Sequence, residues 1–461
     1  MKNMNRILKF RMNKLGLALL SAFVFLISTT SHGEAADTLT VDIYGPGQRK
    51  VNIILLPPKT VPEGKYAGVA EKDLPLPAEA GTFSSDLKKD LAFLPFLNIV
   101  PVTDILGGDP SRGVRPGDID IKPLRLSKVD LAITTGWEIR PNGDKNLLLR
   151  CVGTFNGRSI LGKKYSMVTE EMLPRIADRF SSHLMRILTG RDGFFESKIA
   201  FVRKVGKNKE IYTVSPQGRN LRQISSLGGV NLSPNWSPEG DRLVFTRLGS
   251  RQHLLCVWDS ATGKIDQKSF PGNTVIGPAF LPDGNMAATL TMNGNSDIFL
   301  INGNYKPKKA LAKSWAIEVS PDFDRGGDKM VFTSARFGNP HIFMLDMKSG
   351  VVTRVTKQGK YNTNPTISPD GRYVAFARQT PLGHRIFVHD MTSGQERQLT
   401  FGPGNDEDPA FGPDGYFLAF SSSRNGKYQI YLTTRHGDPA MMVPTGSGIA
   451  KAPAWGKAEK S

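Results

Sequence analysis

The sequence predicts a two-domain chain, an N-terminal mixed α/β domain followed by an all-β six-bladed β-propeller closed by the C-terminal strand. Three observations predict it. A proline triplet recurs at near-constant spacing, each copy is followed by short β-rich runs, and the last copy supplies a strand that the first repeat lacks.

The triplet is a proline, a variable residue and a large apolar residue. It occurs as Pro234-Asn235-Trp236, Pro278-Ala279-Phe280, Pro321-Asp322-Phe323, Pro365-Thr366-Ile367, Pro409-Ala410-Phe411 and Pro453-Ala454-Trp455, at spacings of 44, 43, 44, 44 and 44 residues. Most copies lead into a tight turn such as Ser237-Pro238-Glu239-Gly240 or Ser368-Pro369-Asp370-Gly371, where proline presets φ and glycine accepts a positive φ. The third copy, Asp324-Arg325-Gly326-Gly327, lacks the proline. A second strand follows (Leu243-Val244-Phe245, Met330-Val331-Phe332, Val374-Ala375-Phe376, Leu418-Ala419-Phe420), then a third (Ile342-Phe343-Met344, Ile386-Phe387-Val388, Ile430-Tyr431-Leu432) and a polar edge strand. These segments are too short, and too rich in aromatics and glycine, for a helical repeat. Ile199-Ala200-Phe201-Val202 opens a second-strand pattern with no innermost strand before it, whereas Pro453-Ala454-Trp455 has no blade after it. The last strand therefore completes the first blade and pairs the exposed edges.

Before the repeats, Lys50 to Leu56 reads as a strand, as does Leu39 to Ile43. Ser84 to Leu94 reads as an amphipathic helix, and Val129 to Ile139 with Leu147 to Phe155 as a hairpin around Pro141-Asn142-Gly143-Asp144. Pro174 to Leu188 is a second helix, with proline near its start and Gly190 as its C-cap. The resulting division is 1–35 signal peptide, 36–195 α/β domain, 196–457 propeller and 458–461 tail.

Residues 1–35 have the form of a cleaved export signal. A basic stretch from Lys2 to Lys14 precedes the apolar run Leu15 to Ile27, which is shorter than the roughly 20 residues of a spanning helix. The expected location is periplasmic, with no membrane span left after cleavage. Losing five cations and Glu34 lowers the net charge from +18 to about +14. Lysine and arginine are scattered rather than gathered in a stripe, so nucleic acid is not an expected partner. Cys151 and Cys256 each sit in an apolar run and are expected to be buried free thiols. No Cys/His spacing suits a metal, and neither a metal nor a cofactor is expected.

The passage Arg175-Ile176-Ala177-Asp178, Leu188-Thr189-Gly190-Arg191-Asp192-Gly193-Phe194-Phe195 and Lys198-Ile199-Ala200-Phe201-Val202, followed by these blades, resembles the TolB family of Gram-negative bacteria. The resemblance covers nearly the whole mature chain. It implies a mixed α/β domain before a six-bladed propeller, and a periplasmic adaptor of the Tol–Pal system. Such an adaptor links the outer-membrane lipoprotein Pal to TolA from the inner membrane, supporting envelope integrity and cell division. It also implies that the mature N-terminal segment, Ala36, Asp37, Thr38, Leu39, Thr40 and Val41 on to Ile43, recognises the TolA-type protein. One mouth of the channel would then recognise the Pal-type protein.

That mouth is expected where loops enter the innermost strands: Asn273 and Thr274; Trp315, Ile317 and Glu318; Asn362, Thr363 and Asn364; Asn405, Asp406, Glu407 and Asp408; and Ser447. Asp406-Glu407-Asp408 carries the hard oxygen ligands that calcium takes, but reads as a solvated acidic loop. No Gly-x-Ser-x-Gly elbow occurs, the seven histidines are dispersed, and no catalytic residue is assigned. The alternative is a propeller whose mouth binds carbohydrate or peptidoglycan, or acts as a lyase with paired carboxylates.

Overall fold

A computed structural model describes residues 49–61, 75–140, 142–191, 193–272, 274–292 and 294–457. The expected strand at Leu39 to Ile43, the segment Ala36 to Val41 and Asn273 lie outside these residues. In the α/β region a six-stranded sheet runs β3-β1-β4-β5-β6, with β2 also paired to β4. Its strands are β1 (Val51–Leu55), β2 (Lys59–Val61), β3 (Leu97–Ile99), β4 (Leu131–Ile139), β5 (Lys145–Gly153) and β6 (Ser159–Tyr165). The first four pair in parallel and the last three antiparallel, the β4–β5 hairpin falling where the turn residues placed it.

Helix α1 (Glu79–Ala92) buries Phe83, Leu87 and Leu91 on one face. It starts five residues before the expected Ser84, because its first turn contributes only the small Ala80 to the core and shows no large-residue periodicity. The short α2 (Ile121–Leu126) was not foreseen. Its Asp120 cap accepts from the Lys122 amide, and only Leu124 is buried. Helix α3 (Leu173–Thr189) buries Ile176, Phe180, Leu184 and Leu188, then stops at Gly190, whose φ is 68° and whose N–H donates to the Arg186 carbonyl.

From Lys198 the regular elements among the described residues are all strands. One eight-stranded sheet holds two antiparallel groups joined by the single parallel pair Val230↔Lys209, and four further sheets have four strands each. In each group a triplet-bearing strand lies at one side: Val230–Trp236, Val275–Phe280, Glu318–Phe323, Asn362–Ile367, Asp406–Phe411 or Ile449–Gly456. The last of these pairs antiparallel with β7 (Lys198–Val205), which in turn pairs with β8 (Asn208–Val214). The turns after the triplets close as expected. Even the proline-less copy donates from Gly327 N–H to the Asp324 carbonyl, as Gly371 does to Ser368.

Cys151 and Cys256 are buried and unpaired, and burial pushes both thiols up, Cys256 to about 12. The α/β region and the repeats share a core. Phe194, just beyond α3, stacks on Phe195 and packs tilted against Phe417, with ring centroids 4.4 Å apart in each case, and meets Trp455 edge-on at 5.8 Å. The Trp455 indole N–H donates to Ser197 Oγ at 2.7 Å. A Cβ on Gly193 would lie 2.4 Å from the Ser182 Cα, so the chain can leave α3 this tightly only without a side chain.

A polar latch lies beside this aromatic contact. Arg219, from the repeats, donates to Asp178 of α3 at 2.6 Å and to Asp90 of α1 at 2.8 Å. Burial, with Asp178 adding to it, pushes Asp90 up to about 8 against the pull of Arg219; burial pushes Asp178 to about 6. A carboxyl whose folded pKa exceeds its ordinary value near 4 stabilises the fold fully below that value and loses the contribution as pH rises. Here the loss spans about pH 4 to 8. Asp90→Asn, which keeps the Arg219–Asp178 pair, is expected to flatten this slope. Thermal melts should show the variant gaining on the parent as pH is raised from about 5 to about 8.

Candidate functional site

The six triplets converge on one cavity of about 320 Å³, lined by all six prolines together with Trp236, Phe280, Phe323, Ile367, Phe411 and Trp455. Each triplet strand carries a register shift just before its proline. The residue preceding the proline has a left-handed backbone every time: Ser233, Gly277, Ser320, Asn364, Asp408 and Ala452 have φ between 51° and 57°. For the five that are not glycine this costs on the order of 1 kcal/mol each, held in place by the strand ladder on both sides. The bulge turns the proline towards the cavity. The middle triplet residue also ties neighbouring groups together. Phe280 N–H donates to Asn235 Oδ1, Ile367 N–H to Asp322 Oδ2 and Phe411 N–H to Thr366 Oγ1.

At one end of this cavity lies a second hollow of about 580 Å³, lined by Tyr361, Thr363, Asn364, Ala377, Gln379, His384, Glu407, Asp408 and Lys451. Four of these, Thr363, Asn364, Glu407 and Asp408, are among the residues the sequence placed at the mouth. Lys451 pairs with Glu407 at 2.7 Å and lies 3.9 Å from the centre of the Tyr428 ring. Burial opposes ionisation of both partners, but the pairing outweighs it, holding Glu407 below and Lys451 above its ordinary range. His384 approaches Glu407 from the other side at 3.4 Å. Asp408 accepts from Asn364 at 2.8 Å and from Ser421 at 3.0 Å; its burial raises its pKa despite Lys451. The hollow thus presents preset donors and acceptors of both signs.

The other expected mouth residues divide sharply. Trp315 and Ile317 are 73% and 57% exposed, Ser447 is exposed, and Thr274 and Asn405 are half-buried. Glu318, Asn362 and Asp406 are instead fully buried, and they begin strands rather than loops. Each faces an arginine within the neighbouring strand (Arg378) or just after it (Arg336, Arg424). Arg336 donates to Glu318 at 3.0 Å, Arg378 to Asn362 at 2.7 Å and Arg424 to Asp406 at 3.2 Å. Each guanidinium also covers an aromatic ring, Phe343, Phe387 or Tyr431, within 5 Å. These three residues build the wall and are unavailable to a partner. The reading of Asp406-Glu407-Asp408 as a solvated acidic loop is likewise corrected: the three carboxylates are committed to Arg424, Lys451 and Asn364. Asp406→Ala should therefore cost about 3 kcal/mol of folding stability, since it strands the Arg424 charge. Denaturant titration checks this.

Sequence reasoning named Trp315 and Ile317 but missed other residues of the outer mouth. Strand registers put the loop entering each triplet strand at the same end of its sheet as the loop between the second and third strands, as with Glu318↔Ser334↔His341 and Asn362↔Arg378↔Arg385. That end carries Trp315, Ile317, Phe337, Tyr361, Leu382 and Phe401, all exposed. Phe337 is held between the Phe343 ring at 5.9 Å and the Arg354 guanidinium. So many large apolar side chains at corresponding loop ends form an exposed apolar rim, a feature that commonly marks interaction sites. An apolar residue in a polar loop was the available signal.

Comparison with known proteins bears on the same region. Residues 185–459 match the family model described as the TolB beta propeller domain. Over 327 residues, 70% of each chain, the sequence is 46% identical to the Tol-Pal system protein TolB of Nitratidesulfovibrio vulgaris. The chain belongs to the TolB family. Another TolB relative, from Chlorobium luteolum, is 30% identical over 71% of each chain. The crystal structure of TolB from Acinetobacter baumannii superposes with a TM-score of 0.74 at 20% identity, covering 90% of this chain and 98% of that one, which shows a common fold. TolB membership makes the protein a component of the Tol-Pal system. It also accounts for the pairing of a mixed α/β region with a C-terminal β-propeller.

Proposed function

We propose that the protein is a periplasmic, non-enzymatic adaptor. The propeller mouth would bind a Pal-type outer-membrane lipoprotein, and the segment Ala36 to Val41 a TolA-type inner-membrane protein. Export with signal cleavage near residue 35 fits this reading. The observation that carries it is the mouth itself, a polar hollow bearing the Lys451–Glu407 pair and rimmed by exposed aromatic and aliphatic side chains. Such a surface suits a protein partner, with apolar anchors outside and preset polar contacts within.

The same proposal includes a six-bladed ring closed by the C-terminal strand, with the α/β domain ending near residue 195. Two features support closure. The strand Ile449–Gly456 completes the group of β7 and β8, and the triplet strands are neighbours in cyclic order, Ile449–Gly456 lying beside both Asp406–Phe411 and Val230–Trp236. The test is co-purification of the mature protein with the soluble domain of a Pal-type lipoprotein. Capture is expected; failure to capture it, alongside binding of glycan fragments, would favour a carbohydrate-binding mouth instead.

A further inference from the structure

We propose that the α/β region carries a second docking surface, distinct from the mouth, which binds an anionic phospholipid membrane. It is formed by the tip of the β5–β6 hairpin and by α2. Phe155, at the tip, is 84% exposed, and Leu126, at the end of α2, is 64% exposed. Around them stand Lys122, Arg125, Lys128 and Arg158, all exposed, and among the described residues none of the four is in a salt bridge. The Arg125 guanidinium lies 6.0 Å from the centre of the Phe155 ring. The nearest acidic groups are committed elsewhere: Asp120 caps α2, and Asp130 accepts from Arg49 and from the Asn52 amide.

The patch is rigidly built. Thr154 donates to the Val129 carbonyl, fastening the hairpin to the chain that leaves α2, and a side chain on Gly157 would touch Ile121 at 3.6 Å. Beneath it, Leu124, Val129 and Val152 are buried in one cluster, so Phe155 and Leu126 are the apolar residues that point away from an otherwise filled core. Two projecting apolar side chains are far too few for a stable protein interface, which takes about 20 residues a side. They do suit a lipid surface, where an apolar wedge enters the acyl boundary and lysines and arginines meet the headgroup charge.

The experiment is co-sedimentation of the mature chain with vesicles of phosphatidylcholine alone or with added phosphatidylglycerol. Binding should be at least about tenfold stronger with the anionic lipid and fall as salt is raised. Phe155→Ser with Leu126→Ser, and separately Arg125→Glu with Lys128→Glu, should each lower it about tenfold without lowering the Tm, because all four side chains are exposed. Lipoprotein capture at the mouth should persist in both variants, which separates this surface from the proposed function. Equal binding to both kinds of vesicle, or full binding by the serine variant, would overturn the proposal. So would preferential capture of an acidic protein by the same residues.

Discussion

A chain lacking residues 449–461 should lose its cooperative thermal transition, or show it lowered by on the order of 20 °C. The strand Ile449–Gly456 gives β7 its outer partner through Ala450↔Arg203, Ala454↔Ala200 and Trp455↔Ile199. Without it, β7 presents a bare, strongly apolar edge. Trp455 also leaves the Phe194–Phe417 contact, and Ser197 loses its indole donor. The damage would thus spread from the proposed ring into the core shared with α1 and α3. Removing only residues 458–461 should leave the melt unchanged. A 449–461 deletion that melts at the parent's temperature would sink ring closure.

Trp315→Ala combined with Tyr361→Ala should weaken binding of the Pal-type domain by on the order of 100-fold. Large aromatic anchors surrounding a preset polar hollow carry most of the binding energy in interfaces of this kind. Trp315 is largely solvated, so the Tm should stay within a degree or two, which distinguishes a lost contact from a damaged fold. Isothermal titration against the soluble lipoprotein domain measures it. Unchanged affinity would remove the apolar rim from the binding surface. Asp406 and Asn362 are unsuitable probes here, because changing either disturbs the wall before it disturbs a partner.

The strand repeats were legible because proline and a bulky apolar residue recur at an interval that only successive sheets of similar size produce. The hairpin from Leu131 to Gly153 and the helix ending at Gly190 were legible for similar reasons, a turn signal and a cap. What stayed hidden depended on partners distant in sequence. Nothing local marks Glu318 or Asp406 as buried, since Arg336 and Arg424 stand 18 residues further on. The left-handed residue before each triplet proline was equally invisible. Residues before proline ordinarily favour extended backbone, and only the bulge overrides that preference. Strands β3 and β6 and helix α2 went unseen because they are short or largely polar. Of the residues expected at the mouth, Thr363, Asn364, Glu407 and Asp408 line the hollow, and Trp315 and Ile317 stand on its apolar rim, whereas Phe337, Leu382 and Phe401 were not named.

The pairing of β7 with Ile449–Gly456 also sets a clock on folding. A strand near residue 200 must wait for a partner some 250 residues later, so the repeats cannot finish assembling until that partner has been made. For a chain exported in extended form, as the proposed function has it, that delay is useful: the repeats stay open until the strand that pairs with β7 has crossed.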